Sequence, residues 1–153
     1  MFGRDIGEEV LVRGAILNGT AVAAGSGDNT EITGAGINRT TLGNLYESCK
    51  LAIHGNATLQ SGETFTIIAN IQDSADGSTW ADFGDALSVV TVLDAAGGAL
   101  SAVVWNTFLD NDLRGARAHV RAQVTPDHIA TGTDTSTIAA EFIFGGGQEN
   151  PAT

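Results

Sequence analysis

A single cysteine, Cys49, stands in a chain of 153 residues. That excludes an intrachain disulfide and any multi-thiolate metal site. Cations are nearly as scarce: seven basic residues face 18 acidic ones, leaving a formal net charge of -11 and a pI near 4.3. Binding to nucleic acid depends on clustered Lys and Arg that release counterions from phosphate. Here Lys50 and six scattered arginines make nucleic acid a poor partner. No stretch reaches the ~18 unbroken apolar residues of a membrane span. The first ten residues carry Arg4, Asp5, Glu8 and Glu9 where a secretory signal has an apolar core. The expectation is a protein made in a cytoplasm that engages neither membrane nor nucleic acid. Charge of either sign is sparse too, at 16% of residues against a usual ~25%.

What is present is β composition. Twenty glycines are spread as punctuation, and Thr, Val and Ile recur between them. The length fits one domain, expected over residues 10–144 with an N-terminal arm at 1–9 and a C-terminal tail at 145–153. Strict period-two alternation runs through residues 51–73 and 117–125, the signature of half-buried strands. Residues 51–59 and 64–72, joined at Gln60-Ser61-Gly62, read as a long hairpin. The cluster Asp73-Ser74-Ala75-Asp76-Gly77 reads as a turn before Trp80 and Phe83. Residues 87–93 are almost continuously apolar, as in a strand covered on both faces. With 99–107 they read as a second hairpin. Alternation at 117–125 ends at Pro126, which lacks an N–H donor, and the last strand is expected at 136–144. One short helical turn is allowed at 42–48 or 107–113. Seven to nine strands with turns every 8–12 residues predict an all-β fold, an antiparallel sandwich of jelly-roll or Greek-key type. The predicted core is Leu51, Ile53, Phe65, Ile67, Ile71, Trp80, Val120, Val124, Phe142 and Phe144.

Chemistry-bearing patterns are weak. His54, His119 and His128 have no second His or Cys at ligand spacing. Asp73, Asp76, Asp82 and Asp85 miss the spacing of a calcium loop and read as turn caps. Gly25-Ser26-Gly27 lacks the helix that follows a nucleophile elbow, and the glycines at Gly34, Gly36 and 145–147 lack the strand-to-helix setting of a phosphate loop. No catalytic residue, metal or cofactor is therefore expected. Trp80, Trp105 and Tyr46 are the aromatics a carbohydrate-binding sandwich would expose, although core anchoring explains the tryptophans more simply.

Four stretches carry a resemblance: residues 72–83, with Asp76-Gly77 followed by Trp80; residues 114–126, an arginine-led alternation ending in Thr125-Pro126; Thr131-Gly132-Thr133-Asp134-Thr135; and Phe144-Gly145-Gly146-Gly147. Together they resemble small structural proteins of tailed bacteriophages, in particular capsid cement (decoration) proteins. The resemblance implies a β-sandwich or jelly roll, often trimeric, seated outside the head on the major capsid protein, with no catalytic motif. A tail or head-tail joining protein shares similar stretches, and a carbohydrate-binding module is the alternative of another class. An arm that orders on contact covers area without a large core. Phe2, Ile6 and Val10, with the scarce cations Arg4 and Arg13, are accordingly the expected capsid contacts.

Overall fold

A computed structural model describes residues 10–129 and 132–149. Phe2, Arg4 and Ile6 lie outside the described residues. Nine strands follow one another: β1 (Leu11–Val22), β2 (Ile32–Thr33), β3 (Ile37–Asn38), β4 (Asn44–Leu59), β5 (Thr64–Ser74), β6 (Ala81–Asp94), β7 (Leu100–Asp112), β8 (His119–Ile129) and β9 (Thr135–Glu149). The one helical element among them is a 3-10 turn, Arg39–Thr41, capped by Asn38, whose side chain accepts from the Thr40 amide at 3.0 Å.

The pairing is nested. β5 pairs with β6, β4 with β7, β2 and β3 with β8, and β1 with β9, all antiparallel. The chain is thus one long ribbon doubled back on itself. Rolling that ribbon brings β4 against β9 and β5 against β8. Two sheets result, ordered β1-β9-β4-β7 and β2-β8-β5-β6, with β3 also on β8. This nested and rolled order is a jelly roll, so the expected all-β sandwich is the fold.

Both expected hairpins are corrected by this topology. β4 and β5 lie in different sheets, and so do β6 and β7, so the turns at 60–62 and 95–98 arch across the core. Alternation does not distinguish the two cases, because a strand shows one apolar face whether its successor pairs beside it or packs opposite it. The hairpin that does form is β5–β6, turned over residues 75–80, where Gly77 takes a φ of +74° that a Cβ would strain. Three further readings change. Residues 44–48 and 107–112 are strand rather than helical turn. Pairing continues past Pro126 to Ile129, because the proline's missing N–H points away from β5, toward the loop whose Asn29 amide donates to the Pro126 carbonyl. β9 likewise runs on through residues 145–149 beside the start of β4, a continuation that glycines leave without a facial pattern.

The core lies between the sheets. Leu51, Ile53, Phe65, Ile67, Ile71, Val120, Val124, Phe142 and Phe144 are all buried, each worth roughly 1.5–3 kcal/mol against exposure. Trp80 is the exception: it is half-buried at the surface, with the Arg121 guanidinium 4.4 Å from its ring centre. Trp105 is buried and meets Phe65 edge-on at 5.3 Å, joining the two sheets.

Candidate interaction surfaces

The scarce cations decide where this acidic chain can make polar contacts. Arg39 leaves the 3-10 turn and buries its guanidinium among main-chain carbonyls. Nη1 donates to Ala116 O at 2.7 Å and Arg117 O at 3.2 Å, and Nη2 to Tyr46 O at 2.9 Å and Leu113 O at 3.2 Å. Burial pushes its pKa down, opposed by the nearby Cys49 and Asp73. Arg39 therefore pins the β7–β8 connection to the start of β4. Arg117, in that connection, grips Asp73 by side chain and backbone. Burial alone would raise the Asp73 pKa, but the Arg117 hydrogen bonds and charge outweigh it and hold the carboxyl below its ordinary value. Arg114 forks onto Asp112, Lys50 pairs with Asp110 at 2.7 Å, and Arg121 donates to Gln72.

Arg13 differs from these. Among the described residues it is the one basic side chain whose hydrogen bond goes only to the adjoining peptide, Val12 O at 3.0 Å. It sits on the open edge of β1 beside the exposed Val10 and Val12. Val10 also lines an open groove of about 650 Å³ with Lys50, Asp110, Arg114 and Gly145. Residues 1–9 join the described chain at this place.

The remaining candidates separate. Tyr46 is buried against Phe144 at 5.8 Å and Trp105 is buried, so the three aromatics considered for sugar stacking form no shared platform. Asp76 caps its turn, accepting from the Ser78 and Thr79 amides at 2.9 Å, and Asp82 accepts from the Asn70 and Gln72 amides at 2.9 Å. Among the described residues no group of three His, Cys, Asp or Glu is placed to hold a metal ion. His54 is exposed, whereas His128 is buried, stacked on Phe65 at 4.5 Å with Nε2 3.0 Å from Ser136 Oγ. Burial pushes the His128 pKa down against the pull of Asp28, Asp134 and Asp127.

On the outer face of the β2-β8-β5-β6 sheet, polar side chains bond one another in a row. Gln123 donates to Glu31, Asn70 to Gln123 at 3.0 Å, and the amides of Asn70 and Gln72 to Asp82. They line an open groove of about 500 Å³ beside Ile68 and Phe83.

No protein-family model matches the chain, and no curated protein matches it. Solved structures do. The PBSX exported protein XepA is similar at a TM-score of 0.46 and 12% identity, over 94% of this chain and 39% of that one. The VP2 subviral particle of infectious bursal disease virus is similar at 0.44 and 10%, over 88% of this chain and 32% of that one. The Gx strain of the same virus gives 0.45 and 12%, over 93% and 33%. The chain thus spans only a third to two fifths of their lengths. Likeness at this level does not carry function, which has to be argued from surfaces.

Two features escape the sequence reading. Arg39 carries no motif, because its role depends on carbonyls from residues 46, 113, 116 and 117 brought together only by the fold. The second is the exposure of Val89, Val104 and Phe108 on β6 and β7. The apolar run at 87–93 signals this, but its double-sided pattern suggests a covered strand, and β6 is instead a sheet edge.

Proposed function

We propose that this chain is a virion structural protein that acts by binding alone: a homotrimeric capsid cement (decoration) protein. It sits outside a phage head and clamps neighbouring major capsid subunits. It is made in the host cytoplasm and uses no cofactor. The disposition of the cations carries the reading. Five of the six described basic side chains serve internal contacts, while Arg13 is left on an open edge beside Val10 and Val12, where residues 1–9 join the described chain. A cation bound only to its own adjoining peptide, next along the edge to exposed valines, suits a contact in which charge sets register and apolar area supplies affinity. The four phage-like stretches support the same class, and the jelly roll supplies a rigid body for the arm. Residues 1–9, with Phe2, Arg4 and Ile6, serve as the strap, and Val10 and Arg13 as its anchored end.

The test is gradient co-sedimentation with filled heads lacking the protein. The full chain should travel with heads at saturating stoichiometry. Deleting residues 1–9 or introducing Arg13→Glu should weaken attachment while thermal unfolding stays unchanged. Equal attachment by both variants would remove the β1 edge from the contact, and association with tails alone would replace cement by a joining role.

A further inference from the structure

We infer that the outer face of the β2-β8-β5-β6 sheet carries a binding site for a neutral, linear oligosaccharide, laid across the strands at the groove beside Asn70 and Asp82. The site lies on the sheet that lacks β1, so it stands apart from the Arg13 edge and from the capsid reading.

Strand register builds the site. Thr33, Gln123 and Asn70 lie opposite one another on β2, β8 and β5, and Arg121, Gln72 and Asp82 form the next row on β8, β5 and β6. Their chain neighbours Ala69, Ile71, Ala122 and Val124 are buried in the core, so both rows project from the outer face. β6 gives Asn70 no partner. Ala69 pairs with Leu87 and Ile71 with Phe83, so two steps along β5 span four along β6. The surplus residues, 84–86, bulge out, and Gly84 and Ala86 wall the groove of about 500 Å³. The other sheet fixes this bulge: the buried Asn111 of β7 accepts from the Asp85 amide at 2.7 Å and donates to the Asp85 carbonyl at 3.1 Å. Gly84 turns there at a φ of +72°, where a Cβ would collide with the Asn111 side chain. Bulges of this kind re-aim side chains beside binding sites.

The hydrogen-bond inventory identifies the ligand. A carboxylate only accepts, so Asp82 and Glu31 fix which way the amides of Asn70 and Gln123 turn. The Asn70 amide protons go to Asp82 at 2.9 Å and Gln123 at 3.0 Å, and those of Gln123 go to Glu31 and Thr33. Among the described residues, Asn70 Oδ1, Asp82 Oδ2 and Glu31 Oε2 receive no hydrogen bond. The groove therefore presents preorganised acceptors that suit a ligand donating from several points, as sugar hydroxyls do. Two of the open atoms are carboxylate oxygens on a chain of net charge -11, which disfavours phosphates and acidic sugars. An ammonium ligand favours adjoining carboxylates, whereas the amides of Asn70 and Gln123 separate Asp82 from Glu31. Ile68, 41% exposed, and Phe83 give the groove an apolar strip for the C–H face of a sugar ring. The spacing agrees: the acceptors are carried on strands roughly 4.8 Å apart, close to the repeat of a chain of pyranose rings.

Native electrophoresis of the full chain through gels holding a mixed-linkage β-glucan, a galactomannan or a soluble α-glucan tests this, with calorimetry on oligosaccharides cut from the polysaccharide that retards it. At least one of the three should retard the wild type. Asn70→Ala and Asp82→Ala each remove an open acceptor and should weaken binding by at least about tenfold. Unchanged thermal unfolding of both variants verifies the fold. Asn106→Ala, exposed on β7 in the other sheet, should bind as the wild type does. A wild type that none of the three retards overturns the inference, and so does binding that survives both substitutions. Retardation by polygalacturonate alone, or capture by oligolysine alone, overturns it too by showing an ionic site. Each of these failures leaves attachment to heads unaffected.

Discussion

Arg39 offers the sharpest test of how this fold holds its loops. Arg39→Met keeps most of the apolar stem and removes five N–H donors, four of whose contacts are the carbonyls of Tyr46, Leu113, Ala116 and Arg117. A hydrogen bond to a charged group contributes about 1.5–3 kcal/mol, so a simple sum reaches about 6–12 kcal/mol. That sum overstates the loss, because a guanidinium without an adjoining carboxylate bears a desolvation cost of several kcal/mol that the substitution relieves. The balance is about 2–4 kcal/mol. At about 2–4 °C per kcal/mol for a domain of this size, the midpoint should fall by about 4–16 °C. Urea unfolding followed by tryptophan fluorescence gives the free energy directly. Arg39→Lys should fall between, since an ammonium has no planar fork to span four acceptors. A methionine variant within about 0.5 kcal/mol of wild type would refute the reasoning, showing the cage to be a bystander.

Three further outcomes follow from the same contacts. Phe65→Ala removes a fully buried ring touching Trp105 and His128, and should cost roughly 3–5 kcal/mol in urea unfolding; a loss under about 1 kcal/mol would mean the ring is not part of the inter-sheet core. Asp73 has a depressed pKa, so its contribution is present above its ordinary value of 3.8 and lost as pH falls below it. Asp73→Asn should therefore flatten the decline in stability between neutral and acid pH, and an unaltered pH slope would exclude the Arg117 pair as its source. Burial raises the Cys49 thiol from 9.0 to about 12. Native protein should resist a thiol reagent that labels it promptly in urea, and stability should decline as pH climbs above 9, where only the unfolded thiol ionises; prompt labelling of the native state would contradict the burial.

The sequence made the strands and inward faces legible because alternation is a local property: nine of ten core positions follow from it. It did not reveal which strands pair. At 60–62 the same turn chemistry serves a hairpin or an arch, and only the nesting of β4 with β7 and β5 with β6 separates them. The bulk of Trp80 suggests burial, yet it lies half-buried at the surface at the end of the β5–β6 turn, with Arg121 over its ring. Among the contact candidates, Arg13 was legible as a rare cation near the N-terminus. Its distinction from Arg39, Arg114, Arg117 and Arg121 is a matter of partners, and those come from residues distant in sequence or from a fitting neighbour such as Asp112. The exposure of Val89 on β6 is half legible: the apolar run shows in the sequence, but the edge position of that strand does not.

Electron cryomicroscopy of filled heads bearing the protein tests the central claim most directly. The account predicts jelly-roll density in threefold groups outside the shell, with the β1 edge and residues 1–9 against the major capsid protein. A bare outer shell, with this chain confined to the portal or the tail, would contradict it.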